Sequence, residues 1–559
     1  MKTNHLSLLL VVCGMAAVFS ACQNTNNPTE LAPPPHLEKK GNATQLIVEG
    51  KPFIILGGEF RNSSSSSVAF MDTLWAPTKE MNLNTVLAVV SWQTIEPEEG
   101  KFDFSLVDAM LEGARKNDLK LVVLWFGSWK NGLSHYVPDW VKNDTRRFPR
   151  VTLENGKPTE TLTAINSEGA KADAKAFAEL MAYIKKVDAL QQTVIMIQVE
   201  NEVGVLGSPR DYSPLATESF NKPVPEELIN ALVSNNPEMQ PDIQKYWKNA
   251  GSKNAGTWEE VFGKNTFAEE AFMAWNYANY VNTVALAGKA SYDIPMFVNA
   301  WIVQPEDKRP GDYPAGGPQS HVHDIWRIFA PAIDIKAPDI YLPDFKGITG
   351  MYHHPWNPLF VPESFAGTKG AANAFFAIGE RSGIGYSPFG FDGNLTNPSQ
   401  KPLAKAYRVL NQLMPEILDA QANNAIRASY VNTTEPSDTL NLGGYNISFA
   451  LRTNHRGVSV SDEGYGLIIH KGPDEFIVAG AGMNVVFTTN TPGPKFTGIA
   501  SVYEGKYENG EWVPGRLLNG DDIMVNYHLL DEAAAYRTGT AVTLNTEPGI
   551  YHVKLYRFE

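Results

Sequence analysis

The segment "VIMIQVENEVG" (194–204) ends a run of apolar residues with Glu200, Asn201 and Glu202. A second acid, Glu363, follows another apolar run in "LFVPESF". Burying a carboxylate is costly unless a partner or a reaction needs it there. Two carboxylates that face each other can divide the work of a general acid and a nucleophile or base. The residues alone do not decide whether Glu200 or Glu202 is the acid that reacts.

Up to about residue 424, apolar runs rich in β-branched residues alternate with segments whose apolar residues recur at the spacing of an α-helix. Such runs are typical of parallel strands that are covered on both faces. No G-x-G-x-x-G sequence follows the first run, which argues against an open dinucleotide-binding sheet. The alternation predicts an α/β fold, a (β/α)8 barrel over residues 41–424. Its predicted strands are "FIILGGEF" (53–60), "NTVLAVVSW" (84–92), "LKLVVLWF" (119–126), "VIMIQVE" (194–200), "PMFVNAW" (295–301), "DIYLPDF" (339–345), "LFVPESF" (359–365) and "GIGYSPFGF" (383–391).

The carboxyl ends of the strands form the active-site face of such a barrel. Because Glu202 and Glu363 are distant in the chain, only barrel closure could bring them together. Two carboxylates across a barrel mouth can cleave a glycosidic bond, with retention at a separation of about 5–5.5 Å and inversion at a wider one. We therefore predict a sugar-binding site lined by residues at the strand ends: Glu59, Trp92, Gln93, Trp129, Asn131, Asn201, Trp301, Tyr341 and Phe391.

Several of these residues also have simpler interpretations. Buried tryptophans pack in cores more often than they stack on sugars, and Glu59 could form an ion pair with Arg61. The "EPEEG" segment, with Glu96 and Glu98, is interpreted as a solvated turn. The serine run "SSSSS" (63–67) is interpreted as a loop at the barrel rim.

Three motifs carry a resemblance to known glycosidases. "QVENEVG" resembles the strand-4 motif of the glycoside hydrolase family 35 β-galactosidases, and "NLNTVLAVVSWQTIEPEEGKFDF" (82–104) resembles the strand-2 region of families 35 and 42. "PESF" is similar to the strand-7 segment of these clan A enzymes. The resemblance covers roughly residues 45–420. "WFGSWKNG" and "GYSPFGFDG" look like a bacterial branch with an appended C-terminal β-domain.

By this resemblance, Glu202 is the acid/base, Asn201 binds the sugar 2-hydroxyl and Glu363 is the nucleophile. Tyr341 would hydrogen-bond the nucleophile. The expected function is a retaining exo-β-glycosidase, first of all a β-galactosidase, acting on an oligosaccharide or polysaccharide.

Two alternatives to a β-galactosidase stay open. Val89 and the segment 126–129 replace residues that help recognise galactose in the animal-type relatives, so a β-glucosidase or an α-L-arabinopyranosidase is the first alternative. A non-catalytic glycan-binding surface lipoprotein is the second.

Composition and motifs exclude several other classes. The net charge of −14 argues against nucleic acid or an anionic membrane surface as the main partner. The histidine-bearing segments "HVHD" (321–324) and "YHHPW" (352–356) lack the H-E-x-x-H pattern and cysteine partners, so we expect no metal. No G-x-S-x-G motif and no phosphate loop with lysine occur, so we expect no serine hydrolase and no cofactor.

The two ends of the chain differ from the barrel in character. Residues 1–21 are predicted to be a lipoprotein signal peptide, which is cleaved before Cys22 within "VFSAC" (18–22). We expect a lipid on Cys22 and a polar, proline-rich tether over residues 22–40. We expect an exported protein, attached by this lipid to a bacterial (outer) membrane and facing the periplasm or the surface. Residues 425–559 show short alternating segments, which predict a β-sandwich domain. The oligomeric state is left open, with a homodimer as one option.

Overall fold

The computed structural model describes residues 32–234, 238–395, 397–453, 458–518 and 540–559. The predicted signal peptide and Cys22 lie outside these ranges, so the lipid anchor stays a prediction. Residues 33–559 form one compact unit. Within the described ranges, no helix has the length and apolar character needed to span a bilayer.

The centre of the molecule is a barrel of eight parallel strands, which confirms the predicted fold class. A parallel bridge between Ile340 and Ser364, just after the sixth and seventh strands, completes the closure. Nearly all strand residues are buried because side chains fill the lumen and helices cover the outside. In barrel order the strands are Ile55–Glu59, Thr85–Ser91, Lys120–Lys130, Val194–Asn201, Met296–Trp301, Ile335–Asp339, Phe360–Val361 and Gly385–Tyr386.

The sixth predicted strand was displaced along the chain. The strand is Ile335–Asp339, and the residues predicted for it lead instead into the helix Phe345–Tyr352. Lys336 and Pro338 interrupt the apolar pattern of the true strand. Lys336 is nevertheless buried, because its Nζ donates a 3.0 Å hydrogen bond to the carbonyl of Ile333.

Helices surround the barrel and fill the long connections between its strands. The longest, Thr266–Ser291, packs on Ser167–Asp188 beside the third and fourth strands. The remaining α-helices in the described ranges are Val68–Met71, Trp75–Glu80, Trp92–Ile95, Ser105–Lys116, Asp139–Asn143, Pro214–Phe220, Glu226–Val233, Pro241–Asn249, Trp258–Phe262, His323–Phe329, Gly367–Gly379 and Lys401–Ala422.

A small antiparallel sheet precedes the first barrel strand. Its strands are His36–Lys40, Ala43–Val48 and Lys51–Phe53. Leu46 and Val48 join the apolar core of the barrel lumen, so this sheet closes one end of the barrel. Residues 36–40 were predicted as part of a flexible tether and are instead a strand, because they pair with the strand that follows them.

The C-terminal part consists of two antiparallel sheets with a shared apolar core. One face of the larger sheet packs on the barrel helices Gly367–Gly379 and Lys401–Ala422, and its Tyr465 and Leu467 belong to the main core. The described strands are Ile426–Asn432, Ser437–Leu442, Tyr445–Leu451, Glu463–Gly472, Glu475–Ala481, Met483–Thr489, Phe496–Glu508, Glu511–Leu518, Thr540–Thr543 and Gly549–Phe558.

Candidate active site

Three carboxylates meet at the carboxyl end of the barrel. One oxygen from each of Glu202, Asp339 and Glu363 lies within 4.8 Å of the others. All three side chains belong to buried residues, with relative exposures of 6%, 3% and 4%. They follow or end the fourth, sixth and seventh strands. The closed barrel therefore brings Glu202 and Glu363 together, as the sequence predicted.

The backbone of the fourth strand is distorted where it delivers these groups. In a regular strand, successive side chains point to opposite faces. Glu200 and Glu202 adopt left-handed φ values of 62° and 42°, a conformation that costs a non-glycine residue about 1–3 kcal/mol. The distortion lets the consecutive residues Asn201 and Glu202 both reach the barrel mouth, while Glu200 turns away from it. The structure therefore identifies Glu202, and not Glu200, as the acid at the barrel mouth, which the motif alone did not decide.

The surroundings of Glu363 favour a charged carboxylate. The Tyr341 hydroxyl donates a 2.9 Å hydrogen bond to Oε2 of Glu363. The side-chain amides of Asn201 and Asn299 lie 3.5 Å from its Oε1. Donors that face a carboxylate stabilise its ionised form. Glu363 is therefore prepared to act as an anion.

Burial and a neighbouring negative charge outweigh the donors around Glu202 and favour a proton on it. Burial and then the charge of Glu363 raise the pKa of Glu202 to about 7. The Asn131 amide donates a hydrogen bond to its Oε2, and the Glu202 backbone N–H donates to Oδ1 of Asn299 at 2.9 Å. The Asp339 carboxyl group lies within hydrogen-bonding reach of Glu202. Two neighbouring carboxyl groups with such different environments can take different roles in one reaction.

Burial and neighbouring charges favour the neutral form of Asp339. Burial first, and then the charges of Glu363 and Glu202, raise the pKa of Asp339 well above its ordinary value. Its Oδ2 accepts a 2.7 Å hydrogen bond from the Asn299 amide, and its Oδ1 has no other hydrogen-bond partner in the described part of the chain. A proton on Oδ1 would satisfy this atom by donating to Glu202.

Lys130 supplies the positive charge of the site. Burial lowers the pKa of its ammonium, but the carboxylates of Glu363, Glu202 and Glu59 together raise it above the ordinary lysine value. Its Nζ donates a 3.0 Å hydrogen bond to Oδ1 of Asn201. This bond fixes the orientation of the Asn201 amide, so that its NH2 group faces Glu363.

Glu59 is the fourth acid near the site. It is fully buried, and neither of its oxygens has a hydrogen-bond partner among the described residues. Burial, followed by the charge of Glu363, raises the pKa of Glu59 well above its usual range. Glu59 does not pair with Arg61 as one interpretation suggested, since the Arg61 guanidinium lies 3.6 Å from Asp392.

Glu200 and Asp173 form a second acid pair behind the site. Both are fully buried, and burial raises the pKa of each. Asp173 accepts hydrogen bonds from Ser128 and from the Trp125 indole at 2.9 Å, and Glu200 accepts one from the Trp129 backbone at 2.8 Å. A Cβ at Gly127 would lie 2.5 Å from Oε1 of Glu200, so only glycine fits there. The pair fixes the bend that presents Asn201 and Glu202.

Three predicted sugar-binding residues are core residues instead. Trp92 is fully buried and its indole N–H donates a 2.8 Å hydrogen bond to Glu96, which is also buried rather than part of a solvated turn. Trp129 is fully buried against Tyr277 and Tyr280, and its indole donates to the Leu162 carbonyl at 3.1 Å. Phe391 is 1% exposed and packs against Gly58. A sugar could not reach any of the three rings.

Two further predicted residues lie outside the carboxylate cluster. Gln93 lines a separate cavity of about 140 Å³ together with Tyr136, and its Oε1 accepts from Lys142 at 3.4 Å. Trp301 is half-buried at the end of the fifth strand, in register with Asp339 on the sixth. Of the predicted set, the structure gathers Glu202, Glu363, Asn201, Tyr341, Asn131 and Glu59.

The sequence analysis missed Lys130, Asp339 and Asn299. Each lies at or near the carboxyl end of a barrel strand, and that position was the available signal. Lys130 was hidden because its strand extends four residues past the predicted end. Asp339 was hidden because it was taken as the start of a strand and is the end of one.

The three clustered carboxylates have the spacing of possible metal ligands. However, an amide or phenol donor faces each of them, from Asn131, Asn299 or Tyr341, and the Lys130 ammonium supplies a positive charge nearby. Ammonium and amide groups are donors that compete with a cation for carboxylate oxygens. We therefore interpret the cluster as an acid–base site.

Comparisons with known proteins agree with this geometry. A glycoside hydrolase family 42 model, described as beta-galactosidase, matches residues 69–277. A human beta-galactosidase-1-like protein 3 is 30% identical over 185 residues, which cover 30% of this chain and 24% of that protein. A beta-galactosidase from Xanthomonas manihotis is 27% identical over 176 residues, 30% of this chain and 27% of that protein. These matches support a glycosidase barrel of clan A.

The matches are partial in length. The chain spans about a quarter of the length of these curated relatives.

Among solved structures, the catalytic domain of a Paenibacillus polymyxa beta-amylase aligns with a TM-score of 0.43 at 11% identity, over 60% of this chain and 92% of that one. Residues 403–530 match a domain of unknown function (DUF5597).

Proposed function

We propose that this protein is a retaining exo-β-glycosidase, with Glu363 as the nucleophile and Glu202 as the acid/base. One observation carries the proposal: oxygens of the two carboxylates lie within 4.8 Å of each other, in surroundings that favour a charge on one and a proton on the other. Separations of about 5–5.5 Å belong to retaining enzymes, because a wider gap is needed to admit a water molecule.

In the first step, a Glu363 oxygen attacks the anomeric carbon and forms an ester bond to the sugar. The glycosidic C–O bond breaks at the same time, and the Glu202 proton passes to the leaving oxygen. In the second step, Glu202 removes a proton from a water molecule, and the oxygen of that water attacks the anomeric carbon. The ester bond breaks, which restores Glu363 and releases the sugar with its original configuration.

The other residues of the site hold these groups in place. The Asn201 amide, oriented by Lys130, faces the position where the sugar 2-hydroxyl would lie next to Glu363. The Tyr341 hydroxyl restrains Glu363, and Asn131 restrains Glu202. Groups that are fixed before the substrate binds need no reorganisation during the reaction.

A β-galactoside is the first candidate substrate. The family model and both curated relatives carry that activity in their names. A β-glucoside or an α-L-arabinopyranoside is the alternative, because Val89 on the second strand and the segment 126–129 on the third differ from the residues expected in the animal-type relatives.

Nitrophenyl glycosides of these sugars, together with a natural β-linked disaccharide, test the proposal. We expect one glycoside to be hydrolysed with retention, seen by NMR of the first-formed product. Glu363→Ala should abolish turnover. Glu202→Gln should lower kcat/KM about 100- to 10,000-fold on the disaccharide and less on the nitrophenyl glycoside, whose leaving group needs no proton.

Glu98→Gln is the matched control, because Glu98 is a surface acid with a 68% exposed side chain. It should retain full activity. A wild-type protein that binds glycans but hydrolyses none of the panel would instead support a non-catalytic binding protein. An inverted product would contradict the retaining mechanism.

A further inference from the structure

A cavity lies in the connection between the third barrel strand and the helix Ser167–Asp188. This connection contains the helix Asp139–Asn143 and a hairpin of the strands Arg150–Thr152 and Pro158–Leu162. The volume of the cavity is about 870 Å³, within the range of small-molecule sites. No lining residue takes part in the proposed reaction, and the lining residues are Ser134, His135, Lys142, Thr145, Pro149, Arg150, Pro158, Thr159 and Glu160.

Arg150 brings a positive charge to the cavity. Its guanidinium donates hydrogen bonds to the carbonyls of Phe148 at 2.7 Å, Lys142 at 3.0 Å and Val141 at 3.4 Å, and it forms no ion pair with a carboxylate of the described residues. Burial lowers the pKa of Arg150, and the charge of Glu160 offsets this effect only in part. Within the described ranges, the Nε–H and one N–H of Nη1 have no acceptor, so both are available to a ligand.

Lys142 adds a second positive charge, and its own contacts are weak. Its Nζ lies 3.4 Å from Oε1 of Gln93 and 3.8 Å from Oδ1 of Asp139. The Asp139 side chain is 88% exposed, and exposed ion pairs contribute little because water screens them. A ligand can therefore replace Asp139 at this ammonium without the loss of a strong contact.

Two hydroxyl groups of the lining residues also have protons to donate. The Thr145 hydroxyl has no hydrogen-bond partner among the described residues. Oγ of the buried Ser134 accepts a 2.9 Å hydrogen bond from the backbone N–H of Leu162, which leaves its own proton available. The bond to Leu162 also fixes the hairpin against the segment that carries Ser134. The cavity is thus shaped before a ligand binds, which lowers the entropic cost of binding.

The charges of the cavity favour an anion over a cation. Glu160 is the one acid among the nine lining residues, and its Oε2 lies 3.1 Å from Nε2 of His135. The whole chain, by contrast, has a net charge of −14, with 61 acidic residues and 47 lysines and arginines. Guanidinium, ammonium and hydroxyl donors around one space are the groups that bind carboxylate, sulfate or phosphate oxygens.

We propose that this cavity binds an oxyanion, a carboxylate or a sulfate group, between Arg150 and Lys142. Pro149 and Pro158 add apolar surface beside these charges, and the volume admits a sugar ring that carries the anionic group. The anion therefore comes either from an acidic sugar or from a free inorganic ion, and the test distinguishes these sources. The inference goes beyond the proposed function and does not depend on hydrolysis at Glu363.

Calorimetric titrations of sodium glucuronate, sodium sulfate and neutral glucose into the full chain test the site. We expect Arg150→Gln and Lys142→Gln each to weaken glucuronate binding about tenfold or more, the effect of one lost hydrogen bond to a charged group. Lys157→Gln is the matched control and should leave the affinity unchanged, because Lys157 is an exposed lysine in the turn of the same hairpin and does not line the cavity. If Arg150→Gln does not fold, Lys142→Gln decides alone, since Lys142 makes no strong contact.

The relative affinities of the three probes identify the ligand. Glucuronate that binds more tightly than sulfate makes an acidic sugar the ligand, and sulfate that binds as tightly or more tightly makes it a free anion. A wild type that binds neither anion, or a Lys142→Gln that binds glucuronate as tightly as the wild type, would overturn the site. A glucose affinity that falls in Lys142→Gln as much as the glucuronate affinity would also overturn it, because the charge would then not be recognised. Since binding is measured without turnover, none of these outcomes depends on the proposed hydrolase activity.

Discussion

Replacing Glu363 by glutamine removes a negative charge next to Glu202 and leaves the shape of the site almost unchanged. The two carboxylates have oxygens within 4.8 Å of each other. At an effective dielectric constant of about 20, two unit charges at this distance repel by about 3.5 kcal/mol, equivalent to about 2.5 pH units. The Lys130 ammonium counteracts part of this repulsion, and burial is the larger cause of the raised pKa of Glu202.

We therefore expect the pKa of Glu202, about 7 in the wild type, to fall by roughly one to two pH units in Glu363→Gln. Removing a neighbouring negative charge stabilises the ionised form of an acid, so the direction is downward. The carboxylic acid band in difference infrared spectra measures the titration. Spectra of Glu202→Gln and of the double variant serve as backgrounds that isolate Glu202.

Glu98→Gln is the control for this titration and should leave the midpoint of Glu202 in place, because Glu98 is a surface acid. A Glu202 midpoint that does not move in Glu363→Gln would refute the reasoning. It would mean that the two carboxylates are electrostatically independent, and the division into acid and nucleophile would lose its physical cause.

Three further predictions concern single positions. Because Glu202 must be protonated to donate, kcat/KM on an unactivated glycoside should fall as the pH rises through about 7, and a profile that stays flat there would exclude Glu202 as the acid. Glu200→Gln keeps a donor for Asp173 and an acceptor for the Trp129 N–H, so its unfolding free energy in urea should change little. Glu200→Ala should lower the unfolding free energy by at least about 2 kcal/mol, and equal losses in the two variants would argue against a hydrogen bond between residue 200 and Asp173. Trp129→Phe should lower the unfolding free energy by about 1–3 kcal/mol through the lost bond to Leu162 and leave KM unchanged, while a raised KM with unchanged stability would make Trp129 a sugar platform.

The barrel could be predicted from sequence because its strands are buried on both faces. Such strands read as apolar runs, and their alternation with helices leaves few other folds. The sixth strand was displaced because Lys336 and Pro338 break its run, and only the folded structure shows that Lys336 is buried. The local sequence does not show that a polar residue will be buried, because its hydrogen-bond partner comes next to it only in the folded structure.

The residues of the candidate site could be predicted only where they lie close together in the sequence. Asn201 and Glu202 stand together in a recognisable motif, but Lys130 and Asp339 become neighbours only when the barrel closes. Trp129 shows the opposite error. Its position after a predicted strand suggested a ring that lines the sugar site, yet the strand continues past it and buries it against Tyr277. Which way an aromatic side chain points at a strand end depends on bulges that the sequence does not reveal.

The division of labour between Glu363 and Glu202 is the central claim, and a covalent trap tests it most directly. A 2-deoxy-2-fluoro glycoside with a good leaving group forms the ester to the nucleophile but slows its hydrolysis, so the sugar stays attached. Mass spectrometry of the digested protein should find one fluorosugar on the peptide that contains Glu363, and no label in Glu363→Ala. Active enzyme that turns over the unfluorinated glycoside but carries the label on another acid, or on none, would contradict the account.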